Sequence, residues 1–390
     1  MLHLANVIFV GCAVAVLYTA IIYPLLTFIL AHFFELPIDR DDRTPPVTFI
    51  IAAYNEARCI ASKLEESIAF NFPADRFEII VASDGSTDET NQIVEGYIER
   101  GVRFVHAAGR IGKSATMNLA VELARGDILV FSDATTQWQS DVLLTLVSYF
   151  ADSSVGGVTG RVLYRPDRSL IGMGMAAYQR FVTRQRGNES KFGYQIHLTG
   201  AVHAIRRTSY ARCPIELSSE LWFASEIARQ GLRTVYATDA VVFETTRRRA
   251  AAEFGARSRM CIQSFSFLAH IVRVGVSNYP PMYLFELLSH KALRWLLPVF
   301  LGLMALSSGL LAVRYQLHLI LLIAQLLIYS AGVMALLFPR FAVNIPGMPA
   351  LGFFLVFVAG AATGGWRALR GEQQPCWQTD RETSVDDQKG

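Results

Sequence analysis

Cysteine is scarce in this chain and forms no short paired motif. Cys12, Cys59, Cys213, Cys261 and Cys376 are scattered, with no CxxC spacing. That excludes a zinc ribbon or a dithiol redox centre and predicts reduced, structural thiols. Charge is also scarce: Asp, Glu, Lys and Arg make up 18% of the 390 residues, and the net charge is +3. So small an excess leaves no electrostatic footprint for nucleic acid. No GxGxxG follows a strand-like run, which argues against a dinucleotide site. "GRIGKSA" (109–115) resembles a P-loop, but Ala107 stands where that motif requires its first glycine.

The scarcity of charge is concentrated at the two ends. From Met1 to Phe34 there is no Asp, Glu, Lys or Arg, a run longer than the ~20 residues that cross ~30 Å of hydrocarbon. It also exceeds the ~7–15-residue core of a cleaved signal peptide and has no Lys or Arg before it. A transmembrane helix is therefore predicted over 1–36. Three more apolar stretches, at 296–313, 317–338 and 349–366, read as C-terminal spans, followed by a tail over 367–390. Their lack of internal charge argues against a transport pathway. The segment 271–295 reads as an amphipathic piece lying along the membrane surface. One N-terminal and three C-terminal spans place the tail opposite the central region, whereas Arg367 and Arg370 favour the inner side.

Residues 44–270 have ordinary soluble character. "VTFIIAAY", "FEIIVASD", "VRFVHAA" and "DILVFSD" are short, buried-looking strands, each followed by a segment with helical spacing. Four consecutive strand–helix units predict an α/β, Rossmann-like domain with a mostly parallel sheet. Polar residues gather where the strands end: Tyr54-Asn55-Glu56, Asp84-Gly85, Gly112-Lys113 and Asp133. In an open α/β sheet that edge is where ligands bind. Asp84 is placed to accept hydrogen bonds from a base or ribose, and Lys113 to face a pyrophosphate. Asp133, with no His/Cys cluster in the chain, suits Mg2+ or Mn2+ rather than zinc. Arg161, Arg165, Arg168, Arg180, Arg184 and Arg186, with Arg247 to Arg249, read as solvated faces or as contacts to anionic headgroups.

"AAYNE", "ASDGSTDET", "GRIGKSATMNLA", "FSDATT", "LTGAVHAIRR" and "SELWFASEIARQGLRTVYATDAVVFE" occur in that order. Together they resemble the membrane-bound family 2 glycosyltransferases with a GT-A domain, which include synthases of exopolysaccharide, chitin oligosaccharides, hyaluronan and cellulose. The resemblance covers about 45–270. It implies a GT-A domain inserted between transmembrane α-helices, in the inner membrane of a bacterial cell with the domain facing the cytoplasm. It implies a nucleotide sugar, usually UDP-linked, as donor, a glycan or lipid-linked acceptor, membrane lipids as neighbours, no nucleic acid, and Mg2+ or Mn2+ as cofactor.

Residue by residue, the resemblance places Tyr54, Glu56 and Asp84 on the nucleotide and Lys113 near the diphosphate. Asp133 becomes the first acid of a DxD metal motif whose third position is here Thr135. Gly200 matches an acceptor-side glycine. The family's catalytic base, an Asp, aligns with Glu220 in the first turn of a helix, a position that the helix dipole alone would also favour. The "QxxRW" signature of processive synthases maps to 256–260, where Arg257 and Arg259 remain as diphosphate or acceptor contacts. These departures leave open a second expectation, a catalytically weak or inactive membrane scaffold that senses nucleotide sugars.

Overall fold

A computed structural model describes residues 1–165, 168–247 and 249–372. Cys376, Arg248 and most of the predicted tail lie outside the described residues. The domain is built on one eight-stranded sheet in the order β3-β2-β1-β4-β7-β6-β8-β5. Its strands are β1 Val47–Ala53, β2 Phe77–Ser83, β3 Val102–His106, β4 Ile128–Asp133, β5 Gln137–Trp138, β6 Val155–Arg165, β7 His203–Arg206 and β8 Arg233–Thr245. The predicted first four strands are parallel to one another. The sheet as a whole is mixed, because β7 pairs antiparallel with both β4 and β6, and β5 pairs antiparallel with β8.

Strand β1 is buried along its whole length, as expected of a central strand covered on both faces. Alternation then divides its side chains between two cores. Phe49 and Ile51 join Leu64, Val130 and Trp138 on one face. Ile50 joins Ile80, Met117, Leu129 and Phe223 on the other. From β1 the chain winds outward to β2 and β3, then returns to place β4 on the other side of β1. The reversal leaves a crevice at the carboxyl ends of β1 and β4, where Ala52 is in register with Asp133.

Helix α1, Leu2–Phe33, is the predicted N-terminal apolar helix. The domain's main helices are α2 Ile60–Ile68, α3 Thr90–Glu95, α4 Lys113–Leu123, α5 Val142–Ser148, α6 Leu170–Phe192, α7 Ser219–Arg229 and α8 Ala250–Val274. Four more follow: α9 Pro281–Trp295, α10 Leu297–Ala312, α11 Gln316–Leu337 and α12 Met348–Leu369. Helices α1, α11 and α12 are each long and apolar enough to cross a bilayer; α10 is not, with 16 residues or about 24 Å of length. It meets α9 at a bend of 57°, and the two helices together are long and apolar enough for one broken span or a re-entrant loop.

Helix α9 does not lie apart from the domain. Its Tyr283 and Leu287 sit in the same core as Phe223 and Ile227. Its buried Glu286 accepts the Tyr194 N–H at 2.8 Å. His290 Nδ1 lies 2.8 Å from the buried Glu189 of α6, which also accepts the Tyr23 hydroxyl of α1 at 2.9 Å. The segment expected along a membrane surface also packs on the domain and is tied by a buried polar network to α1.

Candidate active site

The nucleotide end is organised by loop chemistry. Asn55 has a left-handed backbone, φ 52°, and its side chain accepts the Thr87 N–H at 2.8 Å. The Glu56 N–H donates to Thr90 Oγ1 at 2.8 Å, so the loops after β1 and β2 are locked together. Gly85 has φ 66°, and a Cβ there would lie 2.5 Å from the Gly109 carbonyl carbon; no other residue fits both demands. Asp84 is fully buried. Its Oδ1 accepts the Ile111 and Gly112 N–H groups at 2.8 and 2.9 Å and the Thr116 hydroxyl at 3.1 Å. This acid thus sets the start of α4, and its buried Oδ2 keeps no hydrogen-bond partner. The Arg110 guanidinium stacks 3.8 Å above the Tyr54 ring.

The second group forms around Gly200. Lys113, the first residue of α4, ion-pairs with Asp133 at the tip of β4. Glu220 sits in the first turn of α7, and its Oε1 accepts the Gly200 N–H at 2.9 Å. The Leu198 N–H donates to the Glu220 carbonyl, also at 2.9 Å, so two hydrogen bonds fasten the 198–200 loop to this helix end. A Cβ on Gly200 would come within 2.8 Å of Lys113 Nζ, 3.0 Å of Glu220 Oε1 and 3.4 Å of Asp133 Oδ2. Glycine at this position lets the three side chains converge without displacement. Burial works against the Lys113 ammonium, but Asp133, Glu220 and Glu244 outweigh it and raise its pKa. It stays cationic through neutral pH.

Among the described residues no three His, Cys, Asp or Glu groups converge as a metal site. Asp133 does face the cavity, and the buried Thr135 hydroxyl two residues on has no hydrogen-bond partner. That sparse set suits a divalent cation carried in on a diphosphate, which takes one or two carboxylates plus phosphate oxygens.

Tyr54 stands at the strand edge, whereas Glu56, Lys113, Asp133, Gly200, Glu220, Arg257 and Arg259 all line one cavity of about 390 Å³. Arg257 is less available than the sequence suggested. Its Nε donates to the buried Glu253 at 2.6 Å, Arg247 shares that carboxylate, and the guanidinium lies 5.1 Å from the centre of the Phe357 ring of α12. Burial opposes the Glu253 charge, yet the two arginines hold its pKa below the usual range.

Sequence reasoning missed the far end of this cavity, lined by Arg186 and His197 and by Lys291, Arg294 and Trp295 of α9. Arg186, expected on a solvated face or against anionic headgroups, is only 7% exposed. The signal was present in "SHKALRW", where three basic residues interrupt an otherwise apolar region.

A Rossmann-like mixed sheet, with acids and a lysine at its strand ends and apolar helices on either side in sequence, defines the GT-A class of domain. Residues 48–213 match the model of Glycosyl transferase family 2, and the chain carries a domain of that family. Three relatives share this part. Glycosyltransferase AglD of Haloferax volcanii is 35% identical over 127 residues, 31% of this chain and 20% of its own length. A beta-monoglucosyldiacylglycerol synthase of a Synechocystis species is 31% identical over 121 residues, 30% of this chain and 25% of its own. A poly-beta-1,6-N-acetyl-D-glucosamine synthase of Staphylococcus aureus is 29% identical over 133 residues, 34% and 32%. The chain thus spans a fifth to a third of the length of these relatives. In fold it is similar to a mannosyltransferase of Pyrobaculum calidifontis solved in complex with GDP-Man and Mn2+. The TM-score is 0.73 and the identity 24%, over 94% of this chain and 99% of that one.

Proposed function

We propose that the chain is a membrane-anchored, inverting glycosyltransferase that moves a sugar from a nucleotide sugar, expected to be a UDP-sugar, onto a glycan or lipid-linked acceptor. The observation that carries this reading is the convergence of Lys113, Asp133 and Glu220 on the bare backbone of Gly200. A cation for the leaving group, an acid for a metal and a second acid for a proton stand around one point, as a displacement reaction requires. The names of the relatives, a polysaccharide synthase and a glycolipid synthase, agree with such a transfer.

In the proposed reaction an acceptor hydroxyl oxygen forms a bond to the anomeric carbon while the bond from that carbon to the diphosphate breaks. The electron pair leaves with the nucleoside diphosphate and the hydroxyl proton passes to Glu220. A single displacement inverts the anomeric configuration. Glu220 Oε1 is already held by the Gly200 N–H, so Oε2 is the oxygen that takes the proton. Glu216, four residues earlier in the chain, is exposed and does not line the cavity. Lys113 balances charge that grows on the leaving diphosphate, the electrostatic contribution that usually dominates. Bound Mg2+ or Mn2+, held by Asp133 and the diphosphate, would neutralise more of that charge.

The test is consumption of a panel of UDP- and GDP-sugars by the purified full chain, with and without Mn2+. Cation-dependent release of a nucleoside diphosphate, abolished in a folded Asp133→Ala variant, is expected. Release that is unchanged in that variant would remove Asp133 from the site.

A further inference from the structure

The far end of the cavity concentrates cations that the donor reaction does not use. Arg186 is spent on neutral acceptors: Gln195 Oε1 and Thr199 Oγ1 at 2.9 Å, and the His197 carbonyl at 3.3 Å. Arg294 donates to Gln185 and ion-pairs with no carboxylate among the described residues. Lys291 lines the cavity and makes no hydrogen bond or ion pair among those residues. The neighbouring buried acid, Glu189, is taken up by Tyr23, Gln185 and His290. Burial, then the charges of Lys291 and Arg186, hold His197 well below its usual pKa, so the imidazole is neutral beside them. Burial, then the charges of Arg186 and Arg294, push the Lys291 pKa down to about 7, so this amine, beside two guanidiniums that are nine-tenths buried, becomes fully cationic when an anion joins the three.

The cluster shares the donor's cavity, and Arg186 reaches Thr199 beside Gly200, but other elements carry it. Glu220 meets Lys113 at Gly200; Lys291 lines the same cavity from α9. Lys113 belongs to the strand edge, whereas Arg186, Lys291 and Arg294 are carried by α6 and α9, the helices tied to α1. The cavity wall also includes Trp295 and, from apolar α12, Phe357 and Ala361. We propose that Arg186, Lys291 and Arg294 form a second anion seat, which holds the phosphate-class headgroup of an acceptor whose apolar tail lies among the membrane helices. The assignment of that anion to an acceptor rests on the glycosyltransferase reading; the seat itself does not.

The test uses the full chain in phosphatidylcholine nanodiscs, with calorimetric titration of dodecyl phosphate, dodecanol and inorganic phosphate. Dodecyl phosphate should bind at least about tenfold more tightly than either of the others. Lys291→Gln should weaken it by about tenfold or more, the loss expected of one charge-assisted hydrogen bond, and Lys291→Arg should restore it. UDP or GDP with Mn2+ should bind the wild type and Lys291→Gln equally. Unchanged dodecyl phosphate binding in Lys291→Gln would overturn the seat. A matching loss of nucleotide affinity would assign it to the donor diphosphate instead, and inorganic phosphate binding as well as dodecyl phosphate would remove the lipid. If neither nucleotide bound the wild type, the transferase reading would fail while the dodecyl phosphate series still decided the seat.

Discussion

Gly200 and His203 show what single residues contribute to this site. The chemistry around Gly200 depends on the absence of a side chain, so Gly200→Ala should push Lys113 and Glu220 apart and leave the sheet intact. Misplacing a catalytic group by about 1 Å costs roughly 100-fold; initial rates should fall by that order with little change in melting temperature. A variant that kept full rate would show that the close approach is incidental. His203 is buried against Phe131, and burial drives its pKa down to about 3, against a weaker opposing effect of its contact with the Thr199 carbonyl. The unfolded chain takes up this proton near pH 6.5, so stability falls as pH drops below that value, by up to about 1.4 kcal/mol per pH unit. The loss continues until the folded pKa is reached. His203→Phe should shrink the difference in melting temperature between pH 7.5 and pH 5; an unchanged difference would contradict the assignment. The meeting of Lys113 and Asp133 was legible because one opens a helix and the other ends a strand at one sheet edge; the use of Asp84 to set the start of α4 was not. The bond from Gly200 to Glu220 was not, since it joins positions 20 apart through a loop that has no periodic pattern.

At the scale of elements, four of the eight strands were legible, because short apolar runs followed by helical spacing leave few alternatives. The antiparallel insertion of β7 was not, because a four-residue strand says nothing about its direction. Of the α6 arginines, Arg180 and Arg184 are exposed, as a solvated face requires, whereas Arg186 turns inward to Gln195 and Thr199. The contact of α12 with α8 depends on small residues. A Cβ on Gly364 would lie 2.4 Å from the Ser258 carbonyl oxygen and 2.7 Å from Cys261 Cβ, and one on Gly360 2.7 Å from Arg257 Cβ. Gly364→Val should therefore separate the two helices at a cost of about 1–3 kcal/mol, typical of overpacking. Lowered thermal stability, with a Cys261 thiol that reacts faster with maleimide, is the expected result. Wild-type stability and reactivity would show that the contact is dispensable.

Across the whole molecule, the site is enclosed jointly by the α/β domain and by helices that sequence assigned to the membrane. Phe357 and Ala361 of α12 reach the same cavity as Asp133 and Glu220. Helix α12 is 39% buried over its most apolar window, against 17% for α1 and α11. The span count is three, or four if the bent pair α9–α10 crosses as one span, by length and composition. Hydropathy could locate these helices but not what they touch, because apolar surface is equally suited to lipid and to protein. The central claim is that this joint enclosure performs glycosyl transfer with Glu220 as base. Its most direct test is the rate of nucleoside diphosphate release by the full chain in lipid, compared between wild type and Glu220→Gln, with nucleotide affinity measured alongside. The account predicts a rate lower by about 10²–10⁴, the usual contribution of a positioned general base, with affinity nearly unchanged. A Glu220→Gln protein that releases nucleotide at the wild-type rate would contradict it.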